Sequence, residues 1–472
     1  MRFQSIIDDV PDYTGFLTVD ELNESSRHLA AEYLDKVQLL RVGRSRQGDD
    51  ILALRIGDGE LTALLFGFPH PNEPIGSMTT EYLARRLAED DAIREELGYT
   101  WYIVKCIDPE GARLNEGWFK GPFNPRHLAL NYYRPPGYQQ IEWTFPITYK
   151  TLKFDQPLPE TQALIDIIHQ AKPAFMYSLH NSGFGGVYFY VSRPCPPLYP
   201  IFHQLARDQG LPLHLGEPEV PYVEKYADAV FYMPGSDQTY DYYVEHTDKD
   251  PAEIMNYGTS SDHYAQQVAD TFTLVCEMPY YYDIRIDDRS PTEVRRRQAV
   301  LEGLAESRQT YDFIKERYEV VAPHLRGPSP FRDSLEEYLR RTLDDIAAKE
   351  HWARTTPELE QPATVAELFD NLQVNRFYRL MIFGMLKRLI DQALEQGDGR
   401  RETALRGVQE EVLAEFEKRS DALERELDYQ VIPIKKLVSV QSGSALYAAE
   451  YVAKEKRGFP GLQAPGLQPA GP

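Results

Sequence analysis

FPHPNEPIG (residues 68–76) and FMYSLHNSGFGG (residues 175–186) are the two stretches on which the reading of this chain turns. In the first, His70 and Glu73 stand three apart; in the second, His180 follows after 106 intervening residues. Two imidazoles and a carboxylate form a His₂Glu set, which suits a catalytic zinc ion with a fourth position left for water. Each segment follows an apolar run that reads as a buried strand: LTALLFGF (61–68) before His70 and AFMYSL (174–179) before His180. A third run, DTFTLVCE (270–277), ends on Glu277. With 11 His and 73 acidic residues in the chain, a lone His-x-x-Glu arises readily by chance, so placement carries the weight. Open α/β sheets bind ligands at the carboxyl ends of their strands, where all three runs deliver their polar residues.

Outward from these runs, the strands RVGRS (41–45), ILALRI (51–56) and WYIVKCI (101–107) alternate with turns and helices. Residues 19–37 and IGSMTTEYLARRLAED (75–90) have helical periodicity, and PETQALIDIIHQA (159–171) opens with Pro and leads into the His180 strand. The segment 117–146 is rich in Gly, Pro and aromatics without a clear period, as expected of a structured loop over a site. Residues 291–319 read as one long helix. Beyond residue 330 the sequence becomes charged and helix-forming, and Val412, Phe416, Leu423 and Leu427 mark an apolar stripe that fits a bundle core or a dimer seam. The expected fold is α/β, a mixed doubly wound sheet with helices on both faces over residues 1–322. An α-helical region for assembly or capping follows at 331–455, then a disordered tail at 458–472.

Composition narrows the function classes. The chain has 472 residues, 42% of them hydrophobic, and a net charge of −22. No basic stripe is present, which argues against nucleic-acid binding. The opening MRFQSIIDDVPDY lacks the apolar core of a secretory signal, and no run of about 18 apolar residues is available to span a membrane. Cys106, Cys195 and Cys276 are too few for a disulfide framework. A cytoplasmic location is the resulting expectation.

At this point the chain, over roughly residues 1–320, resembles the zinc carboxypeptidase family. RVGRSRQGDDILALRIGDG (41–59) resembles the family's Gly-x-Ser-x-x-Gly-x-x-Ile hairpin, and FPHPNEPIG the segment with its first His and Glu ligands. IDPEGARLN (107–115) resembles its Asn-Pro-Asp-Gly turn, SLHNSGFGG (178–186) the second His segment, and YGTSSDHYA (257–265) the stretch before the last core strand. FTLVCE (272–277) resembles the strand carrying the general base. Their order along the chain is the strong part of the likeness.

The resemblance implies one zinc ion per chain held by His70, Glu73 and His180, with Glu277 as general base. It implies an Arg for the oxyanion, matched best by Arg113 and next by Arg126. In NYYRPP (131–136), Arg134 takes the place of the Arg that binds the substrate's carboxylate. Asn131 stands where the family has an Asp orienting the first His, and Tyr133 where it has a carboxylate-binding Asn. Tyr257 matches the Tyr that closes on substrate, with Tyr264 in the same segment, and His263 replaces a Trp. These departures loosen the exopeptidase expectation and leave the metal-hydrolase one intact. The expected function is therefore a zinc metallopeptidase cleaving a peptide or amide bond near a free carboxylate. The alternatives are a desuccinylase/aspartoacylase-like amidohydrolase of N-acyl amino acids and a non-catalytic binding protein on the same fold. Expected partners are a peptide or N-acyl amino acid and, through the C-terminal helices, a second copy of the chain.

Overall fold

Residues 2–396 and 402–458 are described by a computed structural model. A nine-stranded mixed sheet organises them, with strands β1 (Val37–Arg44), β2 (Asp50–Ile56), β3 (Leu61–Gly67), β4 (Tyr99–Val104), β5 (Phe175–Leu179), β6 (Tyr188–Val191), β7 (Lys225–Ala227), β8 (Val230–Tyr232) and β9 (Phe272–Glu277). Their spatial order is β1-β2-β4-β3-β5-β9-β6-β8-β7. The central four, β4-β3-β5-β9, run parallel, and β5 and β9 are buried along their whole length. Strands covered on both faces read as continuous apolar runs. In β9 all six residues of FTLVCE are accordingly buried.

The sheet register explains how remote residues meet. Gly67 of β3 lies abreast of Leu179 of β5, and Leu274 of β9 lies abreast of Tyr177. Three residues further along each of the latter two strands come His180 and Glu277. His70 leaves β3 at the same edge.

Helices cover both faces, as expected. Ala63 and Leu65 of β3 join one buried cluster, and Leu64 and Phe66 join another on the opposite face. On the first face lie α1 (Val19–Glu32), α2 (Ile75–Glu89) and the short α3 (Pro125–Asn131). On the second lie α4 (Pro159–Ala171) and α5 (Ser261–Val268). α3 sits within the segment 117–146, started by Asn124, whose side chain accepts from His127 N. Helix α6 (Ser236–His246) buries Tyr240 and Tyr243 in a separate cluster with Tyr257 and Ala348.

One expectation is corrected. The helix read at 291–319 begins only at Arg296 and runs to Val321 (α7); Pro291–Arg295, with β-branched Thr292 and Val294, instead pairs with Pro362–Thr364 as a small antiparallel ribbon. The region 331–455 is largely helical, as expected, and packs against the sheet. Its main helices α8 (Pro330–Thr355), α9 (Asn375–Glu395), α10 (Glu402–Glu426) and α11 (Ile434–Lys456) share one buried cluster with the sheet, in which Leu386, Phe416 and Val440 join Leu65, Phe175 and Leu274. The stripe Val412, Phe416 and Leu423 is buried inside the chain. Helix α11 is a missing layer of the doubly wound core: its Ser442, Gly443 and Ser444 are small enough for a helix buried on nearly every side. Of the tail expected at 458–472, residues 459–472 lie outside the described residues.

α9 is locked to α3. A Cβ on Gly384 would lie 1.7 Å from Ala129 O, and Arg388 donates to Asn131 O at 2.8 Å and Tyr132 O at 3.1 Å, satisfying carbonyls at the end of α3. Gly384→Ala must push the two helices apart. Overpacking of this kind costs about 1–3 kcal/mol. The expected result is a lower urea midpoint with an unchanged slope; an unshifted midpoint would mean the close approach is not maintained.

Candidate metal centre

The loop after β3 turns sharply to present its ligands. Phe68, buried, holds a left-handed φ of 58° two residues before His70, an uncommon conformation for a bulky residue that tends to mark functional turns. Glu73 N then bonds back to His70 O at 3.1 Å. On the neighbouring strand, Asn181 accepts from Ile75 N at 3.2 Å through its side chain and gives its own backbone N–H to Glu73 Oε2 at 3.2 Å. The two His segments are thus tied together by the residue after His180.

His70, Glu73 and His180 are all buried, and each offers a ligand atom within 4.8 Å of the others. His180 Nδ1 lies 3.1 Å from Glu73 Oε2 and 3.9 Å from Glu277 Oε1. His70 Nδ1 is buried with no hydrogen-bond partner among the described residues, an arrangement that usually has a reason in a folded protein. On the far side of the second ring, His180 Nε2 meets Ser178 Oγ at 2.9 Å, and Ser178 in turn donates to Glu142 Oε2 at 3.0 Å. That chain accepts the Nε2 proton and orients the ring so that Nδ1, on the Glu73 side, is the nitrogen able to ligate a metal in exchange for its own proton, the outer support that metal-binding histidines commonly have. The orphaned Nδ1, the oriented imidazole and the carboxylate together fit a zinc ion.

The electrostatics agree. Burial pushes His70 well below its ordinary range, helped by the nearby Arg134 and His180. Burial acts the same way on His180, but the nearby carboxylates of Glu142, Glu73 and Glu277 outweigh it and hold that imidazole well up. A field that keeps a proton on His180 also favours a divalent cation in that place. Glu277 is raised by burial first and then by Glu219 and Glu73.

A cavity of about 720 Å³ opens over this cluster and takes in Glu277, Arg134 and Tyr257. Arg134 Nη1 donates to Glu73 Oε1 at 3.0 Å, and its own carbonyl accepts from Ser334 of α8 at 2.8 Å. Tyr257 is buried in the wall, 6.1 Å from the Trp143 ring and 5.2 Å from the Arg341 guanidinium. Tyr264 turns away to His169, 3.0 Å from its hydroxyl, and His263 lies 3.9 Å from Asp237.

Two assignments are corrected. Arg113 is outside the cavity lining, paired with Asp20 at 2.9 Å and Asp49 at 3.7 Å. Arg126 is likewise outside, bound to Glu417 and Asp421 of α10. Both belong to helical segments whose outer faces meet other acidic helices. Asn131 does not touch His70; its amide donates to His127 O at 2.9 Å.

Several contributors escaped sequence reading. Ser178 could have been noticed, since it shares a strand face with His180 at a spacing of two. Glu142 carries no signal, being one acid in an aperiodic aromatic segment. Gln441 of α11 donates to both His180 O (2.7 Å) and Cys276 O (3.1 Å) and accepts from Thr79 Oγ1 (2.8 Å), fastening the ends of β5 and β9 to α2. Supports of this kind typically carry about 10–100-fold in metal affinity. Ser178→Ala is therefore expected to weaken zinc binding by that factor in chelator competition, with the melting profile of the metal-free protein little changed. Unaltered affinity would remove Ser178 from the support of His180.

A family model described as zinc carboxypeptidase matches residues 22–280. The zinc carboxypeptidase A 1 of Anopheles gambiae is 29% identical over 126 residues, covering 24% of this chain and 29% of that protein. The chain thus matches less than a third of that relative's length. Among solved structures, the carboxypeptidase A of Helicoverpa armigera shares 17% identity with a TM-score of 0.38, over 57% of this chain and 65% of the other. A metallo-carboxypeptidase from Pseudomonas aeruginosa also shares 17%, with a TM-score of 0.32 over 71% and 69%. The matched residues 22–280 are more than half of the 472 and enclose His70, Glu73, His180 and Glu277, so the chain belongs to the zinc carboxypeptidase family.

Proposed function

We propose that this protein is a zinc-dependent hydrolase of the carboxypeptidase type, cleaving a peptide or amide bond close to a free carboxylate. The observation that carries the reading is the convergence of His70, Glu73 and His180 within 4.8 Å, with Glu277 3.9 Å from His180 at the same cavity. One zinc ion held by the three would supply Lewis acidity, polarising the scissile carbonyl and making an attacking water more acidic. Glu277 would accept a proton from that water and pass it to the leaving amine. A carboxyl raised by burial is suited to both halves of the transfer. Arg134, beside Glu73 and lining the cavity, would stabilise the developing oxyanion in place of Arg113.

The test is zinc content together with a substrate panel. Stoichiometric zinc and release of C-terminal residues from peptides would support the reading. Deacylation of N-acyl amino acids without peptide cleavage would move it to the desuccinylase/aspartoacylase type. A protein without zinc, unaffected by chelators, would be a binding protein.

A further inference from the structure

Helices α6 and α8 are fixed against each other beside the cavity. The Tyr243 hydroxyl donates to Asp345 Oδ1 at 2.5 Å, and Ala348 is fully buried in one cluster with Tyr240 and Tyr243. His246 stands three residues beyond Tyr243 on α6, and His351 three beyond Ala348 on α8. Both imidazoles therefore leave the facing sides of the two helices. Their ring centroids lie 5.4 Å apart with the planes at 63°, and the two Nδ1 atoms are 3.3 Å apart. The Tyr242 ring, 4.6 Å from that of His246, backs the first imidazole.

Two nitrogens that face each other in this way can share a proton or a metal ion. A hydrogen bond from an N–H donor ordinarily closes to about 2.7–3.2 Å, which leaves this pair on the long side. Two imidazole nitrogens each about 2.0–2.1 Å from a tetrahedral zinc ion stand about 3.3–3.4 Å apart. Neighbouring ligands of a square-planar or octahedral ion would be closer, at about 2.8–3.0 Å, so the spacing suits zinc in particular. Burial and then the adjacent His351 lower the proton affinity of His246, which keeps its lone pair available. Among the described residues no third His, Cys, Asp or Glu completes the pair into a three-ligand set. Water would supply the remaining ligands, to which the exposed His351 gives access.

We infer that His246 and His351 form a second zinc site, apart from His70, Glu73 and His180, that clasps α6 to α8. Helix α6 lies within the family segment 22–280 and α8 beyond it. Both helices line the cavity, through Tyr242 and Tyr243 on one and Asp345 and Lys349 on the other. An ion at the clasp ties the C-terminal region to that wall. The site does not depend on which bond the protein cleaves.

Full-length protein already carrying one equivalent of zinc would be titrated with more zinc by calorimetry. Wild type is expected to take a second, weaker equivalent. His246→Gln and His351→Gln should each weaken that second event by about 10-fold or more, since a ligand matters at least as much as a ligand's outer support. The first equivalent should be retained in both. His28→Gln, which alters an exposed imidazole paired with Glu24, should leave both events intact. Amide exchange in the last turn of α8 should slow as the second equivalent binds, in wild type and His28→Gln alone. If His246→Gln fails to fold, its melting profile before zinc is added will show it, and the exposed His351→Gln then decides. No second equivalent in wild type, or one that survives at full strength in His351→Gln, would overturn the site. Zinc uptake that needs both histidines without slower exchange in α8 would overturn the clasp. A chain whose one bound zinc is lost in His351→Gln and kept in His180→Ala would retain this site and lose the metal-centre reading.

Discussion

Glu277→Gln is expected to lower turnover by about 10²–10⁴-fold, the usual worth of a positioned proton acceptor, while zinc content stays at that of wild type. The two outcomes are linked by position. Glu277 ends β9, level with His180 on β5, and its Oε1 lies 3.9 Å from His180 Nδ1. It is close enough to share a water with the ligand set but is not a member of the trio whose donor atoms converge. The amide has the same shape and removes only the proton-accepting oxygen. Antiparallel pairing with Tyr188 holds the backbone at this point, so the strand end should not move. Metal analysis beside kcat decides the matter: near wild-type turnover with full metal would show that another group takes the proton. Loss of metal together with activity would show that Glu277 is a ligand.

How much of this was legible in the sequence depended on whether a role was carried by a strand end or by a tertiary contact. His70, Glu73, His180 and Glu277 could be placed because parallel strands deliver their following residues to one edge, whatever lies between them in the chain. Arg113 and Arg126 could not be excluded, because nothing local distinguishes an Arg facing a cavity from one facing Asp20 or Glu417. What the C-terminal helices cover was not legible for a related reason. Charged, helix-forming sequence reads as a solvated bundle, whereas the face that matters is set by what it covers. In α11 that is the edge of the sheet itself, reached through the buried Gln441. Arg341 and Asp345 carried no signal for the same reason: they lie in an ordinary run of charged helix, EEYLRRTLDD, and reach the cavity lining only through the tertiary placement of α8.

Removing the metal should have a comparably large effect on activity and a visible one on stability. Dialysis against a chelator, or His180→Ala, is expected to bring turnover to background. The apo protein should also melt several degrees lower. A ligand that binds only the folded chain at about 1,000 times its dissociation constant stabilises it by about 4 kcal/mol, and that contribution disappears with the ion. The local cause is charge. Glu73 and Glu277 are buried on either side of His180, whose proton affinity they raise, with Arg134 as the opposing guanidinium. A dication bound by two imidazoles and a carboxylate neutralises them better than one extra proton does. Adding zinc back should restore both turnover and melting temperature in the chelated wild type, but neither in His180→Ala. Magnesium should restore neither in any form, because it prefers six oxygen donors and keeps its waters. If chelated protein retained full turnover, or if magnesium served as well as zinc, the two imidazoles could not be acting as catalytic metal ligands. The buried Nδ1 of His70 would then need a different explanation.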